Sequence, residues 1–462
     1  MILRLLGVLG LLILPLCLSL FWQDGAKAQT LEDALTSAYL NNPTLLGQRA
    51  KVRATDEQVP QALSNWRPSV EMTGSAGLRG LKNTTSTTAR NQHREPRSIG
   101  FTITQPLFRG GRTLAATSSA ENTVLSERQS LLKTEQEVLL SAATAYLNVF
   151  RDEAVLKLNI NNEQVLKRQL EATRDRFEVG EITRTDVHQA EARLAGSAAD
   201  RIDAEGNLEA SRAAYRNVVG ITAPRNLKHP AELPGQQPTD LDEAVKTAIN
   251  NNPSVLGAEF DKKALLDNVD EVKGELLPEL SVSTGVSRDL ESSGETGRID
   301  SAEITLNLTV PLYQQGEVFS RLREAKQNVA KQVQAIDQAR RDAVEDATKS
   351  WETLVTARAR VKALKTQIDA NVVALEGVER ETQVGSRTVL DVLDAEQELL
   401  DSRVAHVRAQ RDELVAVFEL KEAMGKLTAK EIGLRATSYD PSKHYREVRD
   451  KWFGASSQGG AN

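Results

Sequence analysis

LEDALTSAYLNNPTLLG at residues 31–47 returns as LDEAVKTAINNNPSVLG at residues 241–257, with eight of seventeen positions identical. Self-similarity of this kind marks one structural unit used twice. The same offset of 210 carries Pro68 onto Pro278, and an offset of 205 then carries Pro106 onto Pro311, Tyr146 onto Trp351 and Gly180 onto Gly385. The offset changes between 80 and 97 in the first copy and between 290 and 302 in the second, 18 residues against 13. Such length variation belongs to a surface loop. The chain is therefore read as repeat 1 at 29–218, a linker at 219–240 carrying Pro224, Pro230, Pro234 and Pro238, repeat 2 at 241–430, and a tail at 431–462. The last Gly, Ser and Gln residues of that tail are expected to be disordered.

Each copy reads as helix, strand, loop, strand, very long helix, tight turn and medium helix. Residues 112–179 and 317–384 contain no proline, and each stretch, if continuously helical, makes a rod about 100 Å long. The medium helices, placed at about 31–66, 183–218, 241–276 and 387–427, are each roughly half as long. Two laid end to end match one rod. In the last of them Leu393, Leu400, Val407 and Leu414 recur every seven residues, with Val404 and Phe418 four positions after two of them. That is a narrow coiled-coil seam against a neighbouring helix.

Four segments flanking the loops alternate apolar with small or polar residues. Val70, Met72, Ala76 and Leu78 alternate with Glu71, Thr73, Ser75 and Gly77, and Ile99, Phe101 and Ile103 with Gly100, Thr102 and Thr104. In the second copy Leu280, Val282 and Val286 alternate with serines, and Ile304, Leu306, Leu308 and Val310 with Thr305, Asn307 and Thr309. Each approaches the ~9–11 residues a tilted strand needs to cross a bilayer. By pattern alone a half-buried soluble sheet fits as well; a polar face made mostly of small uncharged residues, together with export, favours a barrel wall. Four strands cannot close a membrane barrel, because edge groups left facing lipid are too costly. Subunits must pool strands, two chains giving eight and three giving twelve.

Export itself is read at the N-terminus. Arg4 precedes an apolar run from Leu5 to Trp22, and Ala26 and Ala28 precede Gln29; this is the layout of a signal peptide at 1–28 cleaved after Ala28, an uncleaved anchor being the alternative. The chain's one cysteine, Cys17, lies inside that run. Its removal leaves no thiolate nucleophile, thiolate metal site or disulfide. Lys plus Arg falls from 58 to 56 and Asp plus Glu from 64 to 63, for a net charge of −7. A nucleic-acid partner calls for the opposite sign. Aromatics are only 4% of the chain, a composition suited to thin helical layers. The five histidines, His93, His188, His229, His406 and His444, show no HExxH spacing, and there is no Walker or dinucleotide glycine motif. No catalytic, cofactor or metal site is expected, and without a nucleotide site the energy for transport must come from a partner.

The duplicated NNP segments, QPLFRGGR at 105–112, VPLYQQGE at 310–317, VGEITRTDVHQAEARL at 179–194 and VGSRTVLDVLDAEQEL at 384–399 together resemble the TolC-like outer-membrane factors of bacterial efflux and type I secretion. The resemblance covers nearly the whole mature chain. It implies a homotrimer in the outer membrane, mainly α with a small β part: a twelve-stranded transmembrane β-barrel, four strands per chain, continuing into a long antiparallel α-helical barrel that projects into the periplasm. It also implies a periplasmic adaptor and an inner-membrane transporter as partners, with outer-membrane lipid around the barrel. An exported periplasmic coiled-coil scaffold is the rival reading; it does not explain four alternating segments at equivalent places in both copies.

At the rod tips, Gly180 and Gly385 sit where the chain must reverse, and glycine accepts the positive φ such a turn demands. Asp391 and Asp394, three apart, share a helix face. Three-fold symmetry would gather six carboxylates, a ring that binds cations and raises its own pKa values by like-charge repulsion; alternatively Arg387 and Asp391, four apart, form an ordinary surface pair. The resemblance assigns Asp391 and Asp394 to the entrance ring. It also assigns Arg387 to a closed-state latch with Thr185 and Asp186 on a neighbouring hairpin, and the turn residues Val179, Gly180, Val384, Gly385 and Ser386 to adaptor contact. A tyrosine that helps latch some members is Thr382 here, which leaves the closed state to other contacts. The aromatics of YDPSKHYREVRDKWF at 439–453 are expected to dock on the outside of the helical barrel at mid-height.

Overall fold

A computed structural model describes residues 30–83, 90–224, 227, 238–292 and 297–456; the expected signal peptide, most of the linker and the last six residues of the tail lie outside them. In chain order the elements are α1 (Leu31–Asn41), α2 (Pro43–Asp56), α3 (Gln58–Ser64), β1 (Ser69–Ala76), β2 (Arg79–Asn83), β3 (Arg90–Arg94), β4 (Arg97–Arg109), α4 (Arg112–Glu178) and α5 (Arg184–Val219). Then follow α6 (Leu241–Asn251), α7 (Pro253–Gly274), β5 (Glu279–Leu290), β6 (Arg298–Thr309), α8 (Glu317–Gln383), α9 (Val389–Ala423), α10 (Ala429–Ile432) and α11 (Ser442–Val448).

The rods α4 and α8 are continuous over 67 residues each, about 100 Å at the helical rise. Each folds back on its partner, α4 on α5 and α8 on α9, while α7 lies along both rods and α9 also packs on α4. The medium helices at the other end differ from the expectation: 31–66 is broken into α1, α2 and α3, and 241–276 into α6 and α7. Asn42 and Asn252 leave the helical region (ψ 124° and 122°), because each precedes a proline, which crowds a helical conformation in the residue before it. At the second break, Pro60 has no N–H to return to the Asp56 carbonyl.

The asparagines do more than interrupt. The Asn42 side-chain oxygen accepts from Thr44 N–H at 2.9 Å, capping α2, while its amide donates to the Val218 carbonyl at 3.0 Å. Asn252 repeats both bonds, from Ser254 N–H at 2.8 Å and to the Ala423 carbonyl at 3.3 Å. One side chain thus satisfies the orphan donors of one helix start and an orphan acceptor of another helix end. This joins α5 to α1 and α2, and α9 to α6 and α7, so that two medium helices together match one rod.

The main core sits at this splice level, where Leu35, Tyr39 and Leu45 meet Leu139, Tyr146, Tyr215 and Phe418. All are among the largest fully buried side chains of the protein. A second, small core at the tips joins Leu166 and Leu170 of α4 to Val187, Ala190, Val389 and Leu393. The heptad seam of α9 is buried at Leu393, Leu400 and Phe418 and half-buried at Val404, Val407 and Leu414.

The tail climbs farther than mid-height. Tyr439 N–H donates to the Tyr39 hydroxyl at 3.0 Å, His444 Nδ1 lies 3.2 Å from the fully buried Asp56 carboxylate, and Arg449 pairs with Glu121 at 3.2 Å. Arg67, two residues before β1, then stacks on Trp452 at 4.9 Å and donates to the Lys451 carbonyl. A mid-height reading missed this because the contacts of Trp452 are set by a residue 385 positions earlier in the chain.

Candidate functional site: the sheet and the helix tips

The four expected strands form one antiparallel sheet in the order β1-β4-β5-β6. Its register places Met72, Phe101, Val286 and Ala302 in one row across all four strands, and Val70, Ile103, Thr284 and Ile304 in another on the same face. On the opposite face one row is small and polar, with Thr73, Gly100, Ser287 and Ser301 side by side, and the next is Glu71, Thr102, Gly285 and Glu303; the Ser287 and Ser301 hydroxyls are 2.8 Å apart. Among the described residues nothing covers the apolar face. Ile304 is 80% and Met72 71% exposed, and no residue of β1 or β6 is buried.

Both outer strands, β1 and β6, keep one row of backbone donors and acceptors unpaired among the described residues. In water such a sheet is a liability. In a bilayer it is tolerable only as an arc of a closed barrel. The loop expected at 80–97 instead carries a second hairpin, β2 with β3, a separate two-stranded sheet beyond Gly77 and Pro96. Its residues are mostly charged or polar (Arg79, Lys82, His93, Arg94), so the alternation that signals a half-buried strand is absent.

Where strands become rods, QPLFRGGR places Gly110 and Gly111 at φ +61° and +79°. A Cβ on Gly110 would collide with the Gly274 carbonyl at the end of α7, so close approach as well as φ requires glycine there. The second copy makes the same turn with Gln315 and Gly316.

The tip turns are as read. Gly180 and Gly385 take φ of +79° and +78°, and Val179 and Val384 beside them are 72% and 80% exposed. Ser386 donates its hydroxyl to the Glu381 carbonyl at 2.9 Å. Beyond each turn stands a capping box, which the sequence carries as T-x-x-D at both tips. The Asp186 carboxylate accepts from Thr183 N–H at 2.9 Å and its hydroxyl at 2.7 Å; Asp391 accepts from Thr388 at 2.8 and 2.7 Å. The Thr388 hydroxyl, then its N–H, then the Arg387 charge hold the Asp391 carboxyl below the ordinary carboxylate range. Within one chain this pulls opposite to the rise that a ring of like charges would produce.

Arg387 pairs with Glu381 at 3.0 Å and reaches Asp391 at 3.7 Å; among the described residues neither exposed Thr185 nor Asp186 of the same chain contacts it. Asp394 pairs with Arg193 of α5, a link between the two hairpins of one chain that sequence spacing does not reveal. Thr382 is buried and donates to the Val378 carbonyl of its own helix at 2.8 Å, so its hydroxyl is already committed. Among the described residues there is no cluster of His, Cys, Asp or Glu able to hold a metal ion, and no helix long and apolar enough to cross a membrane.

The family described as outer membrane efflux protein matches residues 34–220 and 244–426. This chain belongs to that family. It is 33% identical to the outer membrane efflux protein BepC of Brucella suis, over 93% of each chain. It is 27% identical to the outer membrane protein TolC of Vibrio cholerae, over 88% of this chain and 92% of that one. The solved structure of CusC, described as forming a transmembrane channel, superposes with a TM-score of 0.77 at 16% identity, covering 86% of this chain and 92% of that chain. The protein is thus an outer-membrane exit duct subunit of the efflux and type I secretion class, built of a helical barrel with a small β part, its helices projecting into the periplasm. Its relatives are channels rather than enzymes.

Proposed function

We propose that three copies of this chain pool their strands into one twelve-stranded barrel and conduct small toxic compounds outward across the periplasm and outer membrane. The observation that carries this is the four-stranded sheet with two open edges, an uncovered apolar face and a small polar face. Eight strands leave an interior just filled by side chains, whereas twelve leave a lumen; a conduit therefore favours three chains. Efflux is preferred to protein secretion on the 33% relative, whose name is an efflux protein.

In this reading Asp391 and Asp394 form the periplasmic entrance ring, and Arg387 latches the closed state against Thr185 and Asp186 of a neighbouring hairpin. A periplasmic adaptor takes hold of the exposed tips at Val179, Gly180, Val384, Gly385 and Ser386, and an inner-membrane pump supplies the energy. The closed state needs a bias of only a few kcal/mol, within what a binding partner can overcome. Single-channel conductance of the detergent-extracted protein in a planar bilayer, with oligomer mass taken on the same sample, tests the proposal. A trimer with small cation-selective openings is expected. A soluble, non-conducting species would return the reading to a periplasmic coiled-coil scaffold.

A further inference from the structure

We propose that the lipid-facing side of the sheet ends, at its outer rim, in a site for phosphorylated lipid headgroups formed by Arg97, Arg288 and Arg298 around Asp300. The inference rests on the sheet being a barrel wall, and the register supplies its geometry. Arg97 lies opposite Leu290, which lies opposite Arg298, and Arg288 lies opposite Asp300. These positions share the face of Phe101, Val286 and Ile304, the uncovered apolar face. All lie at the strand ends farthest from the rods, beside residues 291, 292 and 297 and the β2–β3 hairpin.

Their height agrees with a headgroup region. From Val310, the last apolar residue of the alternating run, to Asp300 is ten residues, about 34 Å along a strand at ~3.4 Å per residue. A tilt near 40° reduces this to about 26 Å, against the ~25 Å apolar band of outer-membrane barrels. The charged positions therefore begin where hydrocarbon ends. On the other face the row between them is Ser98, Asp289 and Ile299, followed by Gly100, Ser287 and Ser301, so the three arginines all stand on the lipid side.

The charge is not internally cancelled. Asp300 is shared by two guanidinium groups, accepting from Arg288 Nε at 2.7 Å and from Arg298 Nε at 2.9 Å. One carboxylate thus fixes two forks in place and, among the described residues of this face, leaves one positive charge unmatched, with Asp289 on the opposite face; Arg97 is paired outside the strands with Glu95 at 2.7 Å. The three arginine side chains are 63%, 52% and 54% exposed. A guanidinium offers five N–H donors and favours phosphate in a bidentate geometry, so a phosphomonoester headgroup meets unused donors on Arg288 and Arg298 beside an apolar wall for its acyl chains.

The test compares the full-length protein with the uncharged triple variant Arg288→Gln, Arg298→Gln, Asp300→Asn. Retention of bisphosphorylated lipid A, of the same lipid without phosphates, and of inorganic phosphate is read by native mass spectrometry and by heat stability of the oligomer. The native protein is expected to retain the phosphorylated lipid roughly tenfold better than the triple variant, with the dephosphorylated lipid held equally by both. Equal retention of the phosphorylated lipid by the two proteins would overturn the site. Protection by inorganic phosphate as strong as that by the lipid would also overturn it, in favour of a free-anion site. Oligomer mass and conductance of the same samples separate this from a failure of the barrel itself; if the triple variant does not assemble, Arg97→Gln carries the same comparison, with a smaller loss expected and no loss counting against the site.

Discussion

The rods α4 and α8 have the same length and occupy equivalent places in the two copies, yet they are surrounded differently. Along α4 the buried positions run from Thr113 to Thr173 and include Leu139, Tyr146 and Leu147; along α8 they thin out to eight, half of them the alanines Ala325, Ala343, Ala347 and Ala357. On α8, Val373 is 69% and Phe319 52% exposed. The same contrast holds at the splices, since α1 buries Leu31, Leu35 and Tyr39 whereas α6 buries only Ala244 and Ala248. A duplicated unit therefore gives one rod enclosed by its own chain and one left with a bare flank. The bare flank and the open strand edges are the surfaces that the proposed trimer would cover.

The sharpest way to break this comparison is a pair of truncations at equivalent positions. Tyr146→Ala, in the enclosed rod, is expected to cost about 3–5 kcal/mol and to be read as a fall in the denaturant midpoint. Trp351→Ala, at a half-buried site on the bare rod, is expected to cost about 1–2 kcal/mol in the same assay. Equal losses would mean that the two rods are equally enclosed. Next come the splices: Asn42→Ala is expected to cost about 1–3 kcal/mol by removing a cap and orphaning the Val218 carbonyl. Asn252→Ala should cost less, because its bond to Ala423 is longer.

At the tips the two copies can be set against each other functionally. Asp391→Ala with Asp394→Ala is expected to abolish cation block of the pore with assembly intact, and persistence of block would remove the ring. Arg387→Ser is expected to raise single-channel conductance; no rise would locate the latch elsewhere. The smallest effect expected is of pH on the start of α9. Because the folded-state pKa of Asp391 is depressed, the stability it contributes is present above the ordinary carboxylate pKa and is lost as pH falls through the lower folded value. Protection of the amides in the first turn of α9, measured relative to the unstructured chain at each pH, should thus stay unchanged through neutral and mildly acidic pH and fall only below the usual carboxylate range. Loss of protection near neutrality would show that another group holds that turn.

The parts legible in the sequence were those governed by local rules. Proline-free runs gave the rods, glycines at 180 and 385 gave the turns, and period-two alternation gave the four strands of the large sheet. The Asn-Pro breaks were also written locally, but a residue before proline can end a helix or begin a new one, and the second role became clear only with the Val218 and Ala423 carbonyls in reach. The β2–β3 hairpin has no apolar alternation to betray it. The Arg193–Asp394 pair joins residues 201 apart, and no spacing rule reaches that far.

The sequence by itself determined that one unit is used twice, that each copy is helix, strands and rod, and that four strands with an apolar face cannot stand alone. These follow from periodicity, from backbone limits on proline and glycine, and from the cost of unpaired backbone groups in lipid. Only the tertiary structure decided which rod is enclosed and which is bare, how two short helices are spliced into the length of one, and that the tail ascends to the foot of the sheet. It also decided that three arginines from three strands, 97, 288 and 298, share the end of the sheet's apolar face. Each of those depends on which distant side chains meet. Pairing across hundreds of residues is set by the register of strands and the packing of helices, quantities that no local pattern encodes.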